Sequence, residues 1–177
     1  FFMPYGIKKK HFERGLENLQ RVIDRGEEVG VIVCDKSLLS CFRNPNNSYF
    51  QCVNCVSRRK NGLSLINGDF KTFSLPSITN EESNRINDFL NFDIKNINDL
   101  KKIYFDDFDI GFAVASTIIT LNSNPNPDLG ECKNLVNDLL WSSARVYLSV
   151  KKLLKENKNS KLYFHNGSHA PGRAVLR

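Results

Sequence analysis

Residues Glu28-Val29-Gly30-Val31-Ile32-Val33-Cys34 form a short, nearly continuous run of β-branched side chains. Such a run is typical of a strand that is covered on both faces, as in a parallel sheet. The segment before it has the period of an amphipathic helix, with apolar side chains at Phe12, Leu16, Leu19 and Ile23. Gly26 stands where glycine commonly ends a helix. Since residues 1–4 also read as a strand, the first 34 residues predict a strand–helix–strand unit.

The rest of the chain continues this alternation. Helical periodicity predicts helices over residues 80–92, 97–104, 110–121 and 132–155, and residues 161–165 predict a third strand. Residues 63–75 leave the choice between helix and strand open, and residues 34–60 read as a cysteine-bearing insertion. Strands separated by helices favour an α/β fold. We therefore expect residues 1–177 to form a single Rossmann-like, three-layer α/β domain with a parallel sheet.

Composition fits an ordinary globular domain. The 177 residues carry 25 Lys and Arg against 19 Asp and Glu, a formal net charge of +6, and 41% of them are hydrophobic. These values argue against disordered, collagen-like and coiled-coil proteins, and no apolar run reaches the roughly 18 residues of a membrane span. No G-x-G-x-x-G or P-loop pattern is present. The first and last residues read as cut ends, which predicts a piece of a larger protein.

Four of the five cysteines fall within 22 residues, spaced C-x6-C-x10-C-x2-C. Four thiolates suit a tetrahedral zinc ion, and a C-x2-C pair lets two sulfur atoms of one turn reach it. An iron–sulfur cluster uses the same ligands. The alternative is that Cys34 is a buried small residue that ends a strand and that the other three are unpaired. We expect the distant Cys132 to pack on its helix. The candidate metal ligands are Cys34, Cys41, Cys52 and Cys55.

Two charged motifs admit both a functional and a structural interpretation. Arg58, Arg59 and Lys60 follow the C-x2-C pair, so a zinc-stabilised module that binds nucleic-acid phosphates is one hypothesis. A solvated helix face is the favoured reading of these three residues. Asp107-Phe108-Asp109 spells a D-x-D pattern, which binds metal diphosphates in one class of sugar transferases. Here we expect acids at the first turn of the following helix instead.

Histidines accompany two predicted strand ends. His165-Asn166-Gly167-Ser168-His169 follows the last predicted strand, and His11 opens the first helix close to the Tyr5-Gly6 turn. Ligands of open α/β sheets bind at the carboxyl ends of the strands. A neutral imidazole there can accept a proton from a hydroxyl group. The structural alternatives are a turn at Gly167 and histidines that cap, pack or face solvent.

Five short motifs share a likeness that covers most of the chain. They are Met3-Pro4-Tyr5-Gly6 with His11-Phe12-Glu13; Gly26-Glu27-Glu28-Val29 with Val33-Cys34-Asp35; Cys41, Asn44-Pro45 and Cys52 to Cys55 with Arg58; Phe108-Asp109-Ile110-Gly111 with Ser116; and residues 164–173. Together they resemble bacterial surface-polysaccharide glycosyltransferases of the GT-B type, some of whose capsule and lipopolysaccharide members carry a cysteine-bearing insertion.

The resemblance implies the N-terminal, acceptor-side half of a two-domain enzyme, whose donor half would follow Arg177. Such an enzyme transfers a sugar from a nucleotide-activated donor to a surface-polysaccharide acceptor. It works in the cytoplasm, with peripheral association at the inner face of the membrane as an option, and does not need nucleic acid. We expect His11 and His169 to be its catalytic residues. The expected substrate-binding residues are Tyr5, Gly6, Asn166, Gly167 and Arg173.

One position departs from the family pattern. Where the family carries an arginine after Asn-Gly, this chain has Ser168. The resemblance therefore implies that Arg173 takes over the contact with negative charge.

Overall fold

The computed structural model describes residues 1–6, 9–91, 93–164 and 167–176, which form a mixed α/β and mostly helical structure. In chain order, the elements are α1 (Lys9–Ile23), β1 (Gly30–Val33), α2 (Tyr49–Leu63), β2 (Lys71–Ser74), α3 (Asn80–Phe89), α4 (Ile97–Lys101), α5 (Ile110–Asn122), α6 (Lys133–Glu156) and a final 3₁₀ helix (Gly172–Leu176). The predicted helices of residues 80–92, 97–104, 110–121 and 132–155 correspond to α3 to α6.

The sheet is parallel but smaller than predicted. Strands β1 and β2 pair in register from Gly30 with Lys71 to Val33 with Ser74. Phe2 extends the arrangement by single parallel bridges, to Ile32 on one side and to Phe164 on the other. Its backbone neighbours support the first bridge, since Met3 N–H donates to the Ile32 carbonyl over 2.9 Å.

All three predicted strands are longer than the pairing that the structure shows, since residues 28–34 shorten to β1, Gly30–Val33. Residues 1–4 and the described part of residues 161–165 contribute only bridge residues, Phe2 and Phe164; His165 lies outside the described residues. Pro4 follows closely on Phe2 and has no N–H to donate, which limits how far pairing can continue. The predicted strands at residues 1–4 and 161–165 are corrected to bridge residues beside a sheet that has two strands among the described residues.

Strand β1 is covered on both faces, as its sequence predicts. Successive side chains of a strand point to opposite faces. Ile32 belongs with Phe2 to the large apolar cluster that contains α5 and α6, whereas Val31 and Val33 belong to a smaller cluster with Phe12 and other residues of α1. The continuous β-branched run thus supplies one face to each of two cores.

Two elements lie in segments for which no helix or strand is clearly predicted. Helix α2 occupies part of the expected insertion, and it begins after Ser48, whose side chain accepts from the Gln51 N–H. Only Arg59 and Gly62 of α2 are buried, so the helix has little apolar stripe to reveal it. All four residues of β2 are exposed, which explains why residues 63–75 read ambiguously. No described helix is long and apolar enough to cross a membrane.

Candidate active site

An aromatic cavity of about 150 Å³ lies where the chain leaves the Phe2 bridge. We call it the ring pocket. Its walls come from the first residues, the start of α1, the loop after β1 and the segments on either side of the last histidine loop. The lining residues are Phe1, Phe2, Met3, Pro4, Tyr5, His11, Phe12, Gly15, Asn18, Phe42, Arg43, Tyr163, Phe164 and His169.

The ring pocket brings together three residues that sequence reasoning selected separately. Tyr5, His11 and His169 all line it, although they come from the first turn, the first helix and the last loop of the chain. The Tyr5 hydroxyl donates to the Ala170 carbonyl over 3.4 Å, which ties the first turn to the last loop. Burial raises the pKa of Tyr5 well above its usual range, so this phenol stays neutral.

Aromatic stacking fixes two walls of the ring pocket. Phe1 and Tyr163 stack with ring centroids 5.0 Å apart, and Phe42 and His169 stack with centroids 4.1 Å apart and planes 15° from parallel. Stacked rings present flat apolar faces, against which the faces of a sugar ring can pack. Because His169 is held against Phe42, its imidazole has a defined orientation in the pocket.

Two residues of the loop after β1 are among the lining residues that sequence reasoning missed. Phe42 and Arg43 lie in the cysteine-bearing segment, where only the thiols drew attention. The Arg43 guanidinium lies over the Phe42 ring, 4.4 Å from its centroid. An aromatic–arginine pair directly after Cys41 is the signal that could have found them, because Arg and aromatic side chains recur at binding sites.

The other predicted substrate-binding residues are placed differently. Gly6 and Gly167 are not among the lining residues of the ring pocket, and Asn166 lies outside the described residues. Arg173 also lies outside the lining and instead binds Asp109 through two hydrogen bonds, of 3.0 Å from Nε and 2.6 Å from Nη2. The hydrogen bonds with Asp109 raise the pKa of Arg173. The positive charge of Arg173 is therefore paired within the domain.

The four candidate metal ligands converge on a second, smaller cavity of about 30 Å³, which we call the thiol cavity. Cys34 follows β1, Cys41 lies in the loop, and Cys52 and Cys55 share one face of α2, three residues apart. Burial raises the pKa of the Cys34 thiol and raises that of Cys41 to about 12. These two thiols are therefore protonated at neutral pH unless a cation displaces the protons.

Local contacts already engage two of the thiols. The Gly6 N–H lies 3.1 Å from Cys55 Sγ, and Asn44 Nδ2 donates to Cys52 Sγ over 3.2 Å. The donor chemistry of four thiols suits zinc. The thiols are not placed to bind zinc, however, because no group of three or more His, Cys, Asp or Glu side chains in the described ranges is arranged to hold a metal ion.

The basic triplet behind the C-x2-C pair is largely used inside the domain. Arg58 forms an ion pair with Glu13 of α1. Arg59 is only 4% exposed and donates to the carbonyls of Cys34, over 2.6 Å, and Pro4, over 3.5 Å. Only Lys60 of the three is fully exposed. The triplet therefore does not present the continuous basic surface that phosphate binding would use.

The D-x-D pattern is likewise divided between separate contacts. Asp109 precedes α5, as predicted, but its side chain makes no capping hydrogen bond and binds Arg173 instead. Asp107 accepts a hydrogen bond from the Tyr147 hydroxyl. The two carboxylates thus serve different partners, and nothing in their placement favours the metal–diphosphate interpretation.

Comparison with known proteins adds no assignment to this geometry. No family model matches the chain, and neither a curated protein nor a solved structure matches it.

Proposed function

We propose that this chain is the acceptor-side half of a GT-B glycosyltransferase that transfers a sugar from a nucleotide-activated donor to a bacterial surface polysaccharide. The observation that carries the proposal is the ring pocket, because Tyr5, His11 and His169 line one cavity although the sequence separates them by up to 164 residues. The resemblance of the first turn, the first helix and the last loop to this enzyme family selected the same residues independently.

Size and lining of the ring pocket support a carbohydrate ligand. A cavity of about 150 Å³ accommodates one six-membered ring. Ligand sites are mostly apolar and carry a few polar groups that fix orientation. The stacked pairs around this pocket supply the apolar faces, while His11, Arg43 and Asn18 supply the polar groups.

The proposed reaction uses a histidine as general base. His11 or His169 accepts the proton of the acceptor hydroxyl, the hydroxyl oxygen attacks the anomeric carbon of the donor sugar, and the nucleoside diphosphate leaves with the bonding electrons. A general base of this kind contributes about 10²–10⁴-fold in rate. The base must be neutral before the step, so that an imidazole nitrogen can accept the proton.

A transfer assay on the complete enzyme tests the proposal. Release of nucleoside diphosphate would be measured for a panel of nucleotide sugars, with lipid-linked oligosaccharides as acceptors. We expect His11→Ala or His169→Ala to lower turnover by about 10²–10⁴-fold while the circular dichroism spectrum is unchanged. Lys60→Ala, which changes an exposed residue outside the pocket, is the matched control. Wild-type turnover in both folded histidine variants would refute the assignment of the base.

We propose, as a separate part, a structural zinc ion bound by Cys34, Cys41, Cys52 and Cys55. It is supported by the convergence of four thiols on one cavity and by the buried Arg59 cation beside them, because an anionic zinc–thiolate centre would offset that charge. Binding requires the thiols to move together from their described placement. Metal analysis of the purified protein tests this; about one equivalent of zinc, lost in Cys55→Ser but kept in Cys132→Ser, is expected. Less than half an equivalent of zinc would refute the proposed zinc site. Detection of iron together with inorganic sulfide would indicate an iron–sulfur cluster in place of zinc.

A further inference from the structure

Arg43 is the charged side chain among the described residues that line the ring pocket. Arg43, His11 and His169 are its basic lining residues, and no aspartate or glutamate is among the described residues that line it. A cleft lined by one sign of charge, with apolar walls, concentrates ligands of the opposite sign. The pocket is therefore electrostatically suited to an anion as well as to a sugar ring.

Arg43 has no ion-pair partner among the residues that the structure describes. Its Nε atom is buried and makes no hydrogen bond, and no carboxylate of the described chain forms an ion pair with it. Burial lowers the pKa of Arg43, the expected result when a guanidinium loses water without gaining a counter-charge. By contrast, Arg59 donates to two carbonyls and Arg173 binds Asp109.

Aromatic packing orients the Arg43 guanidinium. Its guanidinium lies over the Phe42 ring, which in turn stacks with His169. A planar guanidinium held in this way can donate to two oxygen atoms of a phosphate or carboxylate. Because the side chain is already oriented, it loses little conformational entropy when it binds such an anion.

We propose that the ligand of the ring pocket carries an anionic group, a phosphate or a carboxylate, and that Arg43 binds this group. The inference rests on the proposed function, since it specifies the sugar as a charged one. A phosphate would belong to a sugar phosphate or a phosphate-linked carrier, and a carboxylate to an acidic sugar of the glycan.

Binding of small probes to the purified chain tests this without requiring sugar transfer. Glucose 1-phosphate, glucuronic acid, glucose and inorganic phosphate would be titrated and followed by NMR chemical-shift changes. We expect the better of the two charged sugars to bind at least tenfold more tightly than glucose, and its identity distinguishes phosphate from carboxylate. Arg43→Gln should reduce the preference to less than twofold. Arg25→Gln, which removes an exposed arginine that does not line the pocket, should leave it unchanged.

The outcomes separate this inference from the proposed function. If glucose and both charged sugars bind equally in the wild type, or if folded Arg43→Gln retains the preference, the anion site is refuted and the sugar pocket stands. If inorganic phosphate binds in an Arg43-dependent manner and no sugar binds better than phosphate alone, the anion site stands and the carbohydrate function is refuted. Arg43→Lys, which keeps the charge but loses the planar fork, should retain only part of the preference.

Discussion

The ion pair between Arg173 and Asp109 offers the sharpest test of how the last segment is held to the domain. It joins the final 3₁₀ helix to the start of α5 through two hydrogen bonds, and its side chains are only 21% and 12% exposed. Removal of one partner of a buried pair costs about 3–5 kcal/mol. Because this pair retains some contact with water, we expect Arg173→Gln to lower the free energy of unfolding by about 2–3 kcal/mol.

Urea denaturation measures this loss directly. With an m-value of about 2 kcal/mol/M, the unfolding midpoint of Arg173→Gln should fall by about 1 M or slightly more. The matched control is Glu28→Gln, which removes a fully exposed ion pair with Lys71 and should leave the midpoint unchanged. A double-mutant cycle with Asp109→Asn should show coupling, so that the two losses do not add. Equal midpoint shifts in Arg173→Gln and Glu28→Gln, or strictly additive losses in the cycle, would contradict the reasoning.

Two further substitutions test packing. In Gly6→Ala, the new Cβ would lie 2.2 Å from the Cys55 carbonyl oxygen. We expect this substitution to lower the free energy of unfolding, measured by urea denaturation, by about 1–3 kcal/mol. The control Gly130→Ala, whose new Cβ would meet only the side-chain tip of Asp128, should change the free energy of unfolding little. In Ile118→Ala, a fully buried side chain of α5 is truncated. We expect the free energy of unfolding to fall by about 2–5 kcal/mol. For the control Leu65→Ala, which truncates an exposed side chain, we expect a fall of less than about 0.5 kcal/mol. A loss in either control as large as in its partner would refute the packing argument.

Local patterns predicted the helices well, because their signals are carried by the residues themselves. The stripe of α1 and the acids in the first turn of α3, with its Thr79 capping box, are readable without tertiary information. Helix α2 and strand β2 are not, because α2 buries only Arg59 and Gly62 and β2 exposes all four of its residues, so neither has the apolar periodicity that burial imposes. Their formation depends on contacts made elsewhere in the fold.

The sequence predicts a site where the first turn, the first helix and the last loop converge, by the rule that ligands bind at the carboxyl ends of parallel strands. Tyr5, His11 and His169 line one cavity, and their predicted roles there stay predictions. The rule could not reveal that Arg173 would be bound by Asp109, since that contact joins residues 64 positions apart. Nor could it reveal Arg43, whose role depends on the path of a loop and on the ring of its neighbour Phe42.

The exposed strand β2 bears on how the protein behaves at high concentration. Among the described strands it pairs with β1 alone, so its other edge presents unpaired backbone groups. Such an edge can recruit a strand from another molecule, and natural proteins discourage this with lysine. Lys71 is the single charged residue of β2, followed by Thr72 and the partly exposed Phe73. The charge of Lys71 therefore disfavours self-association through this edge. We expect its replacement by an apolar residue to favour aggregation through the sheet edge.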